Sequence, residues 1–284
     1  MTNHPLNLLS ERYAQLLLPV KPGMKDTEQY KDAVLRGKKA EGNLEFVLDE
    51  RDTLTSFETP AGTAEILVLN NRNDFEHAIH ALAYRCEPIP IPPSMGASTI
   101  SGIINWKKIH DHMNSYEADG GTDSDEEFSR FTSEKSNYLD TLILLSTGEY
   151  SAVSAAEMGL EKEDWLNKSL IIRKFHELSH FCSRRLFPEN KEEIRDEIVA
   201  DMIGIISAFG YYDCAAARRF LGIEGTVYRE GGRLQNYVGN NDGASVMERA
   251  LNIITVLSES VSEMVSENVF DLLNFVEKNK IGTL

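Results

Sequence analysis

The sequence is short of several things, and each shortage removes a class of protein. It has only 3 cysteines in 284 residues, Cys86, Cys182 and Cys214, odd in number and far apart. A disulfide framework is therefore not expected, which fits a reducing, cytoplasmic compartment. No apolar run approaches the roughly 18 residues of a membrane span, so none is expected. Between Met1 and Met24 there is no basic stretch followed by an apolar core, so no secretory signal is read there. Basic residues are outnumbered, 29 Lys and Arg against 45 Asp and Glu, for a net charge of −16. Nucleic-acid binding wants a basic face and is excluded as the expectation. The acidic balance favours solubility and a basic or neutral partner. No internal repeat is present.

What remains is ordinary globular composition, 42% hydrophobic and 26% charged, in a chain long enough for one large domain or two lobes. Leu6, Leu8, Leu9, Tyr13, Leu16 and Leu17 mark a first helix over 5–19. Ala64–Leu69 reads as a buried strand, and Asp74–Cys86 carries Phe75, Ala78, Ile79 and Leu82 at helical spacing. Pro88, Pro90, Pro92 and Pro93 forbid helix and favour an extended path. Ile100–Met113 has Ile103, Ile104, Trp106 and Ile109 for another helix. Glu117–Glu127, acidic and holding Gly120 and Gly121, reads as a solvated loop. Leu139–Ser146 is the second strand.

Helices dominate the rest. Leu160–Phe187 ends on Arg184 and Arg185, which suit a helix C-terminus, and Pro188 stops it. Asn190 with Glu193 three residues on reads as a capping box for a helix running to about Phe209. Ser245 to about Asn279 is an amphipathic tail, a core element or the surface of a homo-oligomer. The fold class is α+β, with a small mixed sheet in the N-terminal half and a mainly helical C-terminal half. The expected division is 1–187, an N-terminal lobe including the long helix, and 188–284, a helical lobe, together forming one unit.

Inside the long helix stands His176-Glu177-Leu178-Ser179-His180, followed after sixteen residues by Glu197-Ile198-Val199-Ala200-Asp201. With 7 histidines in the chain, chance alone would give His-acid-x-x-His roughly 0.03 times. Residues i and i+4 share a helix face, so His176 and His180 can hold one cation. Glu177 lies beside that face and can reach a water without binding the metal itself. Two imidazoles and one carboxylate leave a fourth position open, the pattern of a catalytic Zn2+ site. Glu192, Glu193, Asp196 and Glu197 are candidates for the third ligand, and Glu197 is preferred because Glu193 already serves the expected cap. Asp201, one turn on, is placed to accept from the other nitrogen of His176 and fix its tautomer. The plain alternatives are a surface helix carrying two histidines and a solvated acidic helix face.

The pair H-E-x-x-H and E-x-x-x-D, here HELSH and EIVAD, resembles the gluzincin metallopeptidases of the thermolysin-like clan. The resemblance covers 26 residues, His176 to Asp201. It implies a zincin-like fold, with a mixed sheet before the zinc helix, helices after it and an active-site cleft between. It also implies that Leu139–Ser146 is the sheet's edge strand, pairing with an extended peptide substrate. The implied activity is hydrolysis of peptide bonds, with Glu177 as general base. A Tyr or His from the helical half would stabilise the oxyanion. Tyr211, Tyr212, Tyr228, Arg229, Arg233 and Tyr237 are available. Tyr228 and Arg233 are preferred, because the intervening Gly231-Gly232 allows close backbone approach.

Other signals are weaker. His77 with His80, and His110 with His112, lack a third ligand and read as surface histidines. Cys86 in Arg85-Cys86-Glu87 invites comparison with thiol-switch prodomains. Ser94–Thr99 reads as a turn joining two elements. The leading expectation is a cytoplasmic zinc peptidase acting on a peptide or protein. Beside it stand a regulatory or binding protein on a zincin scaffold, which the polyproline segment and acidic loop favour, and a metal-free helical interaction module.

Overall fold

The computed structural model describes residues 4–190, 192–229, 232–239, 242–262, 264 and 268–283. The fold is α+β with a small mixed sheet, as the sequence indicates. The chain forms two compact units. The first comprises 1–56, 65–91 and 98–146, and the second 57–64, 92–97 and 147–284. The division is thus not at 187/188: the H-E-x-x-H helix groups with everything C-terminal to it. The reason is its long apolar contact with the following helix, described below.

In the first unit, α1 (Pro5–Ser10) starts at a proline in its first turn, and His4 caps it, Nδ1 accepting from the Leu6 amide. A short 3-10 turn, Ala14–Leu17, follows, so the helix expected over 5–19 is two pieces. Strands β1 (Thr53–Thr59) and β2 (Gly62–Leu69) are joined by the turn Pro60-Ala61, and this hairpin's tip belongs to the second unit. Next come α2 (Arg72–Leu82), capped by Asn71, β3 (Ala97–Ile104), α3 (Trp106–Ala118), α4 (Ser124–Ser133) and β4 (Leu139–Ser146).

The sheet order is β1-β2-β4-β3. β2 and β4 run parallel, Glu65 facing Leu142 through to Leu69 facing Ser146. Both read as continuous apolar runs because parallel central strands are covered on both faces. Phe75, Ala78 and Ile79 of α2, packed on β4, are fully buried with Leu67, Leu142 and Leu144.

Three expectations are corrected here. β4 is a central strand; the edges are β1 and β3. The segment 100–113 is a strand end followed by a helix. Its isoleucines suit a strand, Gly102 takes φ 78°, and Asn105 caps α3 by accepting from the Lys108 amide. The acidic stretch 117–127 keeps a turn and loop over 119–123, but its ends are helical, the second because Asp123 caps α4 and acids in a first turn favour the helix dipole.

The second unit is built on α5 (Lys162–Leu186) and α6 (Glu193–Phe209). α6 starts from Glu192, without a capping box; Asn190 instead donates its amide to Glu277. Then come α7 (Cys214–Leu221), the two-residue strands β5 (Ile223–Glu224) and β6 (Val227–Tyr228), α8 (Gly243–Val261) and α9 (Val269–Lys278). Strands are therefore not confined to the first half.

α5 and α6 pack along most of their length, and Gly204 permits it: a β-carbon there would stand 2.7 Å from the Ile172 carbonyl oxygen. α5 also carries Phe175, whose ring meets Phe57 of the hairpin tip edge-on at 5.8 Å and Phe270 of α9 at 6.2 Å. Arg195 and Glu277, each 1% exposed, pair at 3.0 Å and fasten α9 to α6.

Candidate metal centre

His176, Glu177 and His180 sit on the buried face of α5, opposite Glu197 and Asp201 on α6. The close helix crossing at Ile172 and Gly204 lies one turn away and sets the separation of the two sets. The two Nε2 atoms of His176 and His180 are 3.1 Å apart. His180 Nε2 is 3.2 Å from Glu197 Oε1, and His176 Nε2 is 3.5 Å from Glu197 Oε2. Among the described residues, these three form the group placed to hold a metal ion.

Asp201 backs this group. It is 1% exposed, and its Oδ1 accepts from His176 Nδ1 at 2.9 Å and from the Tyr150 hydroxyl at 2.6 Å. Arg233 Nη1 donates to both Asp201 oxygens, at 3.0 and 3.1 Å, and Nη2 donates to Glu197 Oε2 at 2.9 Å. The hydrogen bond on Nδ1 leaves Nε2 of His176 with its lone pair toward Glu197 and His180.

Acids and cations share the site: Glu197 and Asp201 meet Arg233 and the two histidines in a largely buried setting. Burial opposes ionisation of Glu197, but the His180 hydrogen bond and the charges of His176, His180 and Arg233 outweigh it, and its carboxyl stays far below the usual range. Asp201 is likewise held low: burial is overcome by Arg233 and His176. For His176, burial disfavours the charged ring, yet the Asp201 hydrogen bond and the Glu197 charge raise its pKa. A divalent cation at the three converging atoms would take over from the histidine charges beside these carboxylates.

On one side of the ligands lies a cavity of about 270 Å³, lined by His180 and Glu197 and by Phe187, Pro188, Asp196 and Tyr237 among others. Burial and the Glu197 charge push the Tyr237 phenol pKa up.

The other residues singled out from sequence are placed as follows. Glu192 pairs with Arg249, Nε and Nη2 donating at 3.0 and 2.9 Å, and is no ligand. Glu193 and Asp196 line the cavity. Tyr228 does not join the site: it pairs with Ile223 across β5 and β6, with its hydroxyl end beside Gly243 of α8. Glu230 and Gly231 lie outside the described residues, so the glycine-pair argument has only Gly232, whose amide donates to the Arg229 carbonyl. Tyr211 is 60% exposed, and Arg229 reaches Glu157 at 3.7 Å. The Tyr212 hydroxyl is buried without a partner.

His77 is half-buried against Phe46, His80 reaches the Ile89 carbonyl, and His112 pairs with Glu127 and stacks on Phe131, so neither histidine pair forms a ligand set. Cys86 turns its thiol to the Gln15 carbonyl, and burial pushes its pKa up to about 12, which suits neither a ligand nor a switch.

Sequence reasoning missed Tyr150. It sits in the turn after β4, with no motif around it, and reaches the site only through folding.

No helix among the described residues is long and apolar enough to cross a membrane. No curated protein and no solved structure matches the chain. A protein-family profile matches residues 2–280, nearly the whole of it, and the chain belongs to that family, DUF7005, a family of unknown function.

Proposed function

We propose that this protein is a zinc-dependent hydrolase of peptide bonds, a cytoplasmic enzyme with a zincin-like site. One observation carries the reading: two imidazole nitrogens and a carboxylate oxygen from neighbouring helices converge at 3.1–3.5 Å. A tetrahedral Zn2+ with bonds of about 2.0–2.1 Å sets its ligand atoms about 3.4 Å apart. The Asp201 hydrogen bond on His176 supports the same reading, since metal-bound histidines commonly donate their other nitrogen to a carboxylate. The free cysteines suit a reducing compartment.

His176, His180 and Glu197 would hold the ion. When bound, Zn2+ supplies Lewis acidity and brings the pKa of a ligated water to about 7. Glu177, next in sequence to His176 and buried beside it, would take a proton from the attacking water and pass it to the leaving amine. Tyr237, the phenol lining the cavity beside His180 and Glu197, is better placed than Tyr228 to donate to the developing oxyanion. Arg233 is spent on Asp201 and Glu197, so its task is to hold carboxylates and not to touch substrate.

The deciding experiment is Glu177→Gln. The variant is expected to keep one zinc per chain and lose hydrolysis of a peptide library by at least a hundredfold, as removal of a general base commonly does. Undiminished cleavage would overturn the assignment. Zinc binding without any turnover by the parent protein would favour a regulatory role on the same scaffold.

A further inference from the structure

Tyr150 lies in a turn whose backbone is costly to hold. Ser151 and Ala152, both with β-carbons, take φ of 52° and 56°, in the left-handed region. Such residues are strained and persist only when their surroundings hold them. Here α5 does the holding. Arg173 donates to the Gly148 carbonyl at 2.6 Å and to the Glu149 carbonyl at 2.7 Å, and Ser169 Oγ accepts from the Tyr150 amide at 3.0 Å. Gly96 leaves the space for that guanidinium, since a β-carbon there would stand 2.3 Å from Arg173 Nε. Ser169 and Arg173 precede His176 along the same helix. The turn is thus gripped by the element that carries two of the proposed ligands.

The result is a phenol aimed at one point. The Tyr150 ring rests edge-on against Phe220 at 4.9 Å and is 6% exposed. Its hydroxyl donates to Asp201 Oδ1 at 2.6 Å, accepts from Arg233 Nη1 at 3.2 Å and lies 3.1 Å from His176 Nδ1. The hydroxyl proton is committed to Asp201, and so the phenolic oxygen and Asp201 Oδ1 both face Nδ1 as acceptors.

We propose that Tyr150 is a positioning residue for the metal centre: with Asp201 it forces the His176 proton onto Nδ1 and holds the ring so that Nε2 points at the ion. Tyr150 acts through Asp201 and His176 and touches neither ion nor substrate. The inference rests on the metal-site reading for its affinity prediction, and on hydrogen bonding alone for its tautomer prediction.

Two measurements on the full chain test it. In metal-free protein with 15N-labelled histidine, at pH 8, His176 is expected as the Nδ1–H tautomer with a slowly exchanging proton. In Tyr150→Phe, which keeps the ring against Phe220, that proton is expected to exchange fast or be shared between nitrogens. The Kd for Zn2+, by chelator competition, is expected to rise tenfold to a hundredfold, the usual effect of removing a group behind a metal ligand. Zn2+ affinity within twofold of the parent, with the Nδ1–H signal unchanged, would overturn the proposal. So would an Nε2–H tautomer in the parent protein, a result that needs no variant to fold. Should the parent bind no Zn2+ at all, the metal reading fails, and the tautomer comparison still decides the role of Tyr150.

Discussion

Gly204 lies so close to Ile172 that an added β-carbon would stand 2.7 Å from its carbonyl oxygen and 3.0 Å from its Cγ2. The first obstacle is backbone and cannot swing away. Gly204→Ala must therefore push α6 off α5, an overpacking cost of about 1–3 kcal/mol. Because Asp201 and Glu197 ride on α6, the same substitution is expected to weaken metal binding. A lowered Tm with unchanged metal affinity would show that the helix spacing does not govern the ligand set.

Metal and stability are expected to be linked. Chelation of the purified protein should lower its Tm, and Zn2+ should restore it, because an ion bound only by the folded state stabilises by mass action, about 4 kcal/mol at a thousandfold excess over Kd. His180→Ala and Glu197→Ala should abolish the response, since each removes one of the three converging atoms. Calorimetry with and without Zn2+ reads this directly. A full response in both variants would place the ion elsewhere.

The buried pair of Arg195 and Glu277 gives a third expectation. Ser183 and Asn190 also donate to the Glu277 carboxylate, at 3.0 Å each. Glu277→Ala leaves the Arg195 guanidinium, 1% exposed, with the longer contact to Asp196 at 3.4 Å and should cost up to about 3 kcal/mol, the low end for a broken buried pair. Urea midpoints at constant slope would measure it. A loss under 1 kcal/mol would mean that α9 is held by its apolar face alone.

Alkaline pH is expected to unfold the protein by a definable route. Burial raises the Cys86 thiol from 9.0 to about 12, and burial with the nearby Cys86 raises the Tyr30 phenol from 10.0 to about 12. Above pH 9 the unfolded chain sheds these protons while the folded chain still keeps them. Their contribution is therefore complete below pH 9 and lost as pH climbs toward 12. Tm measured from pH 8 to 11 should fall, and less steeply in Cys86→Ala. In the folded protein at pH 8, iodoacetamide should label the half-exposed Cys214 well before Cys86.

The parts of this molecule that follow from local chemistry were readable in the chain. His176 and His180 meet because four residues make one helical turn, and Pro188 ends that helix. Glu197 and Asp201 lie where their spacing puts them, four apart on the next helix. β1 gives only a weak alternation, because Thr55 and Ser56, on opposite faces, are both exposed. The end of β3, from Ile100 to Ile104, fits a helical period as well, since its isoleucines stand three and four apart, and only the sheet decides. Tyr228 seemed placed by neighbouring glycines, whereas the hairpin of β5 and β6 turns it toward α8. Tyr150 left no trace, since its role depends on an arginine twenty-three residues later gripping the carbonyls beside it.

The hairpin tip that meets Phe175 bears on how the centre is assembled. Phe57, Phe175 and Phe270 come from three widely separated stretches of the chain. Closing loops of that length is slow compared with forming the two helices themselves. An isolated 162–209 fragment would contain every ligand, yet lack Tyr150, Arg233 and the aromatic clamp. Its grip on an ion should be looser, and the mature affinity should emerge late in refolding, only once the distant segments have closed around α5.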